Sequence, residues 1–236
     1  MTAISLHIAL NYVGNRQFSQ LGGCLKDGLA MKGLAEAHGW QVDGVLTEKD
    51  ATRRAFNERM TRYASTLVAG DRLLITYSGH GSFKPDRDGD EADGQDETWC
   101  LWDGQLVDDK IGSMLEKFQP GVKIVVLSDS CFSGTVTRAP GQTPQPMPLA
   151  VPEIDRVKAN VLLLSGCSDS QVSYDSAAGG RFTLAMLDSL GKLPDGAGWR
   201  TLHAMTVKRL RRVQKPQLTL SGPIDTAFVD ERPFVT

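Results

Sequence analysis

Apolar residues along the chain gather in short continuous runs, separated by longer stretches of helical period. The runs SLHIALNY (5–12), WQVDGVL (40–46), DRLLITYSG (71–79), KIVVLSDS (123–130) and NVLLLSGC (160–167) are rich in Val, Ile and Leu and do not alternate cleanly with polar residues. Such runs suit strands buried on both faces. Between them the pattern predicts helices near 24–38, 51–69, 107–118, 181–191 and 199–213. Strand–helix alternation implies a three-layer α/β/α sandwich with a central, mostly parallel sheet. Two segments stand apart. Segment 83–97 is acidic and Gly-rich, and segment 135–156 holds five of the eleven prolines. Both read as surface loops, the second extending to about 158, because proline fits neither a helix interior nor a central strand. Long loops of this kind are usually functional or mobile.

The 236 residues are read as a single domain, long enough to bury a core without a disulfide or metal staple. With 26 basic and 28 acidic residues the net charge is −2, which gives no footprint for nucleic acid or a membrane surface. No apolar run is long enough for a transmembrane helix. The first residues, MTAISLHIALNYVG, read as a strand and not as a secretion signal. The four cysteines (Cys24, Cys100, Cys131, Cys167) form no CxxC pair. Without an export signal, reduced thiols in a cytoplasmic protein are expected.

In an open parallel sheet, ligands bind beyond the carboxyl ends of the strands. Strand 71–79 leads into Tyr77-Ser78-Gly79-His80-Gly81, and strand 123–130 into Asp129-Ser130-Cys131-Phe132-Ser133-Gly134. An imidazole and a thiol thus leave the same edge of the sheet. A thiol is mostly protonated at neutral pH, and a neighbouring imidazole can take its proton and later protonate a leaving amine. The glycines allow close backbone approach and supply amides for an oxyanion. Taken singly, the cysteine reads equally well as a small core residue and the histidine as a satisfied polar group. Their pairing at equivalent strand ends favours chemistry. The histidines (His7, His38, His80, His203) form no zinc pattern. No nucleophile elbow or phosphate loop is present.

The motifs LGGCLKD (21–27), YSGHG (77–81), the acidic stretch into DE (96–97), LVDDK (106–110), DSCFSG (129–134), SGCSDSQVS (165–173) and QKPQL (214–218) occur in this order. Together they resemble the metacaspases and their bacterial relatives, the orthocaspases, among the caspase-like cysteine peptidases. His80 lies 51 residues before Cys131, in line with the caspase spacing of about 50. The form around Cys131 departs from that of true caspases. The resemblance implies a caspase-like sandwich, a monomer, and a Cys131/His80 dyad with oxyanion donors at the Gly81 and Cys131 amides. It also implies an S1 pocket at Cys24, Asp27, Ser78 and Asp129. No third triad residue is evident.

Two carboxylates beside a thiol favour a basic side chain over an acidic one. A pairing at 4 Å is worth about 4 kcal/mol before desolvation at an effective dielectric near 20. Protein or peptide substrates cut after Arg or Lys are therefore expected. Arg138, Arg156 and Lys158 in the Pro-rich segment become self-cleavage candidates, or else ordinary solvated charges. The resemblance also implies calcium activation through Asp96, Asp108 and Asp109. Arg138 replaces a fourth family aspartate and opposes the ion. The acidic run is no EF-hand: Asp86, Asp88, Asp90 and Glu97 fall at loop positions 1, 3, 5 and 12, but Glu91 takes the position that needs glycine. Two other readings stay open: a Cys/His hydrolase with a different P1 preference, and an inactive pseudo-peptidase serving as a calcium-responsive binding module. The chain reads as a bare catalytic unit without a prodomain.

Overall fold

The computed structural model describes residues 1–14, 18–85, 95–132, 156–166, 179–211, 214–223 and 226–236, with backbone alone at 95, 131 and 132. One eight-stranded sheet organises them. Strands β1 (Ala3–Ala9), β2 (Gln41–Thr47), β3 (Arg72–Pro85), β6 (Lys123–Phe132) and β7 (Asn160–Ser165) are parallel neighbours in the order β2-β1-β3-β6-β7. Strand β8 (Gln217–Ser221) closes one edge antiparallel to β7. Strands β4 (Gln95–Leu101) and β5 (Gly104–Val107) form a hairpin, with β4 antiparallel to the far part of β3.

Alternate strand residues feed two cores, as expected of strands covered on both faces. Leu73, Ile75 and Tyr77 of β3 and Ile124 and Val126 of β6 pack with helices α2 (Arg53–Thr66) and α3 (Asp108–Leu115). Leu74 of β3 and Val125 and Leu127 of β6 face helices α1 (Cys24–Ala37), α4 (Arg181–Leu190), α5 (Trp199–Leu210) and α6 (Thr226–Asp230). This is the expected three-layer α/β/α sandwich. The Thr52 hydroxyl accepts the Ala55 N–H and starts α2 with a side-chain cap. Gly28 lets α1 press onto β1, since a Cβ there would lie 2.7 Å from the Ala9 methyl. Among the described residues no helix is long and apolar enough to cross a membrane.

The elements depart from expectation at several ends. The acidic loop is narrower than 83–97, because β3 runs to Pro85 and β4 begins at Gln95. The run 86–94, with Asp86, Asp88, Asp90 and Glu91, lies outside the described residues. Cys167, Arg138 and most of the Pro-rich segment also lie outside them. The last residues of that segment are anchored. Val157 is 2% exposed and Ala159 fully buried, both in the α2-side core, while Arg156 and Lys158 between and before them are exposed.

Candidate active site

Strands β3 and β6 set the expected base and nucleophile side by side. Their register pairs Ser78 with Asp129 and His80 with Cys131. Adjacent strands are about 4.8 Å apart, so the two backbones are neighbours. Both residues sit within paired strands. This corrects the expectation that strands 71–79 and 123–130 end before His80 and Cys131. The β3–β6 ladder persists to Gly81 and Phe132, and carries the pair with it.

His80 is 2% exposed. The segment before α1 covers it, with the Phe18 ring 5.1 Å away and the Ser19 carbonyl 2.7 Å from Nε2. A carbonyl can only accept, so Nε2 carries the ring proton and Nδ1 is the acceptor nitrogen of the neutral imidazole. A backbone group therefore orients the ring. That carbonyl is a main-chain group, which no residue type in the sequence announces.

Three of the four S1 candidates come together. Asp27, Ser78 and Asp129 are buried and line one cavity with Phe182, Thr183 and Met186. Cys24 is buried one turn earlier on α1 and does not line it. Ser78 Oγ donates to Asp27 Oδ2 at 2.7 Å. The N-terminus of α4 supplies further donors. The Gly180 N–H meets both Asp27 oxygens at 2.9 and 3.0 Å. The Thr183 N–H and hydroxyl both donate to Asp129 Oδ2, at 2.9 and 2.8 Å. A helix N-terminus favours anionic groups, which explains why two buried carboxylates settle there. A Cβ on Gly180 would lie 2.2 Å from Asp129 Oδ2 and 2.8 Å from Asp27 Oδ2. The two oxygens are thus no more than about 5 Å apart, and only glycine fits between them. None of the described residues lining the cavity is basic. The cavity has room for about one water, about 10 Å³. Thr183 and Gly180 were missed from sequence; the GGRFT run before a helical pattern is the only signal they leave.

Cys100 behaves differently from a nucleophile. It is buried, and burial pushes its thiol up to about 12. A thiol held protonated does not attack.

The profile of the metacaspase peptidase C14 domain matches residues 4–140. The chain belongs to the metacaspase family. Family membership makes this metacaspase a cysteine peptidase. It is 29% identical to Metacaspase-1 of Mycosarcoma maydis over 94% of its own length and 71% of that protein's. It is 30% identical to Metacaspase-1A of Neurospora crassa, again over 94% of its length but 63% of the relative's. Among solved structures, a Geobacter sulfurreducens protein superposes with a TM-score of 0.83 at 34% identity, covering 100% of this chain and 99% of that one. Caspase-1 from Spodoptera frugiperda superposes at 0.62 with 12% identity, covering 93% and 86%, which shows a shared caspase fold.

Asp96, Glu97, Asp108 and Asp109 gather at one end of the β4–β5 hairpin. The hairpin pairs Thr98 with Val107, so Asp96 and Glu97 precede that pair while Asp108 and Asp109 follow it. Asp96, Glu97 and Asp108 are buried and Asp109 is half-buried. Lys84 stands opposite Asp96 on β3, and Asp108 Oδ1 accepts the Asp109 N–H at 3.0 Å. Among the described residues, no three carboxylate, imidazole or thiol side chains converge on a metal position. Calcium takes six to eight oxygens, and these residues as described do not make such a cage by themselves.

Proposed function

We propose that the protein is an endopeptidase that cuts proteins after Arg or Lys through Cys131 and His80. The carrying observation is the Asp27–Asp129 pair: two buried carboxylates within about 5 Å, one from α1 and one from the strand that holds Cys131, in a cavity with no basic residue among its described lining. Like charges this close repel. A guanidinium or ammonium relieves that repulsion, while an acidic P1 adds to it. The Gly180 amide already holds Asp27, so a P1 cation exchanges its N–H groups for that one.

In this mechanism His80 Nδ1 takes the Cys131 thiol proton, while the Ser19 carbonyl holds Nε2–H and stabilises the imidazolium. The thiolate attacks the scissile carbonyl carbon. The resulting oxyanion is assigned to the amides of Cys131 and Gly81. Gly81 is paired with Trp99 on one edge and Phe132 on the other. The imidazolium then protonates the departing amine, and a thioester remains. Water attacks that thioester with His80 again as base, which releases the acid and restores the thiol.

For self-processing we favour Arg138 over Arg156 and Lys158, because the residues that follow the latter two, Val157 and Ala159, belong to the core.

The test is hydrolysis of matched fluorogenic peptides with P1 Arg, Lys or Asp, with calcium and with chelator, beside Cys131→Ala. Turnover of the basic peptides, lost in Cys131→Ala, supports the reading; Asp-only cleavage overturns the pocket assignment. Chelator-sensitive rates would bring Asp96, Asp108 and Asp109 back as ligands. Failure of an Arg-chloromethylketone to label Cys131 would favour a binding module.

A further inference from the structure

Strand β3 changes its edge partner at the dyad. Below, it pairs with β1 as far as Ser78, whose carbonyl accepts the Leu10 N–H at 3.0 Å. Above, it pairs with β4 from Gly81, which stands opposite Trp99. One more step of that antiparallel register would set His80 opposite Cys100, but the pairing stops short. A buried carbonyl left in such a gap needs a donor.

The Tyr77 hydroxyl fills the gap. It lies 2.7 Å from the His80 carbonyl oxygen and 3.1 Å from that of Cys100, so one proton faces both acceptors. Tyr77 is 1% exposed, and burial raises its phenol well above the ordinary value, so it remains a donor. The ring reaches this point by lying along β3 under Gly79, where a Cβ would come within 2.7 Å of the phenol oxygen. That accounts for the glycine between Ser78 and His80.

The same ring is stacked on Trp99 of β4, with centroids 4.5 Å apart and planes 7° from parallel. The Trp99 indole N–H donates to Ser128 Oγ at 3.0 Å, and Ser128 Oγ lies 3.0 Å from Ser130 Oγ. Both serines belong to β6, and Ser130 directly precedes Cys131. One buried unit therefore runs from the His80 backbone to the strand that carries Cys131.

We infer that Tyr77 is a positioning residue: through its hydroxyl and its stack on Trp99 it sets the register of His80 against Cys131. This rests on the peptidase reading of that pair and is independent of the P1 preference. It is tested in Tyr77→Phe, which keeps the stack and deletes the donor. The expected result is a kcat lower by roughly tenfold or more with KM unchanged, since two carbonyls lose their donor and the dyad loosens. The pH profile of Cys131 alkylation by iodoacetamide is expected to move toward that of an ordinary thiol near 8.5. The second readout needs no turnover, so it separates failure of this inference from failure of the peptidase reading. Trp99→Phe, which loses the indole N–H link to β6 and keeps a smaller ring against Tyr77, is expected to shift both readouts in the same direction and by less. A folded Tyr77→Phe protein with a lower Tm but unchanged kcat and alkylation profile overturns the inference. Should Tyr77→Phe fail to fold, Ser128→Ala decides: the same kcat and profile shifts support it, and unchanged values overturn it.

Discussion

The ends of β3 and β6 present two faces made of alternate residues, and the two are held in different ways. On the α1/α4 face stand Ser78, His80 and Asp129, whose partners lie 51 to 61 residues away, in Asp27, Ser19 and Thr183. On the α2/α3 face stand Tyr77, Gly79, Ser128 and Ser130, whose partners lie 2 to 29 residues away, within the sheet itself. The first face is completed only when α1, α4 and the segment before α1 dock. The second is complete once the strands pair. Undocking α4 would remove the Gly180 and Thr183 donors from the pocket carboxylates and leave the strand pairing in place, whereas loss of the Tyr77 unit would loosen the strands themselves.

Four experiments break or sharpen this contrast. The largest effect is expected at the dyad: Cys131→Ala or His80→Ala should cost at least about 10⁴-fold in kcat/KM, measured on a P1 Arg peptide. Next comes the pocket. Asp27→Asn should lose about 4 kcal/mol, close to a thousandfold in kcat/KM on that peptide, while iodoacetamide still alkylates Cys131. Equal turnover would mean that the carboxylate pair does not read P1.

The third concerns His7, one row deeper on the same face. It is fully buried, with Nδ1 2.9 Å from Thr76 Oγ1 and Nε2 3.1 Å from Ser5 Oγ. Burial, then Lys32, lowers its pKa to about 4 from 6.5, against an opposing contribution from Glu36. Above pH 6.5 the imidazole is neutral in both folded and unfolded chains, and its contribution to stability is complete. Between 6.5 and 4 only the unfolded chain takes the proton, so stability falls with pH by about 3 kcal/mol. Urea unfolding at several pH values should show this loss in the wild type and a shallower one in His7→Gln. Parallel curves would remove His7 as the cause.

The smallest effect is expected at Thr183→Val, which deletes one of the two donors that Thr183 gives Asp129. A loss of about 1.4 kcal/mol, roughly tenfold in kcat/KM for basic P1 peptides, should be restored by Thr183→Ser. An equal loss in both variants would point to packing of α4 and not to the hydroxyl.

The sequence determined the layers, the parallel strands and the positions of His80 and Cys131, because continuous Val/Ile/Leu runs mark doubly buried strands and chemistry gathers where they end. Asp27, Ser78 and Asp129 were also legible, through their motifs. Strands β4, β5 and β8 were not: β4 opens on Gln95-Asp96-Glu97, β5 has four residues, and β8 is a half-buried edge. Nor does periodicity show where a ladder stops: the apolar runs end before His80 and Cys131, while the strands continue through both. Only the tertiary structure decided how the site is held. The Ser19 carbonyl, the Gly180 amide and the carbonyls of His80 and Cys100 are backbone groups that every residue possesses, so no side chain announces them. Their roles arise from which segments meet, and that is set by packing across the sheet and not by local pattern.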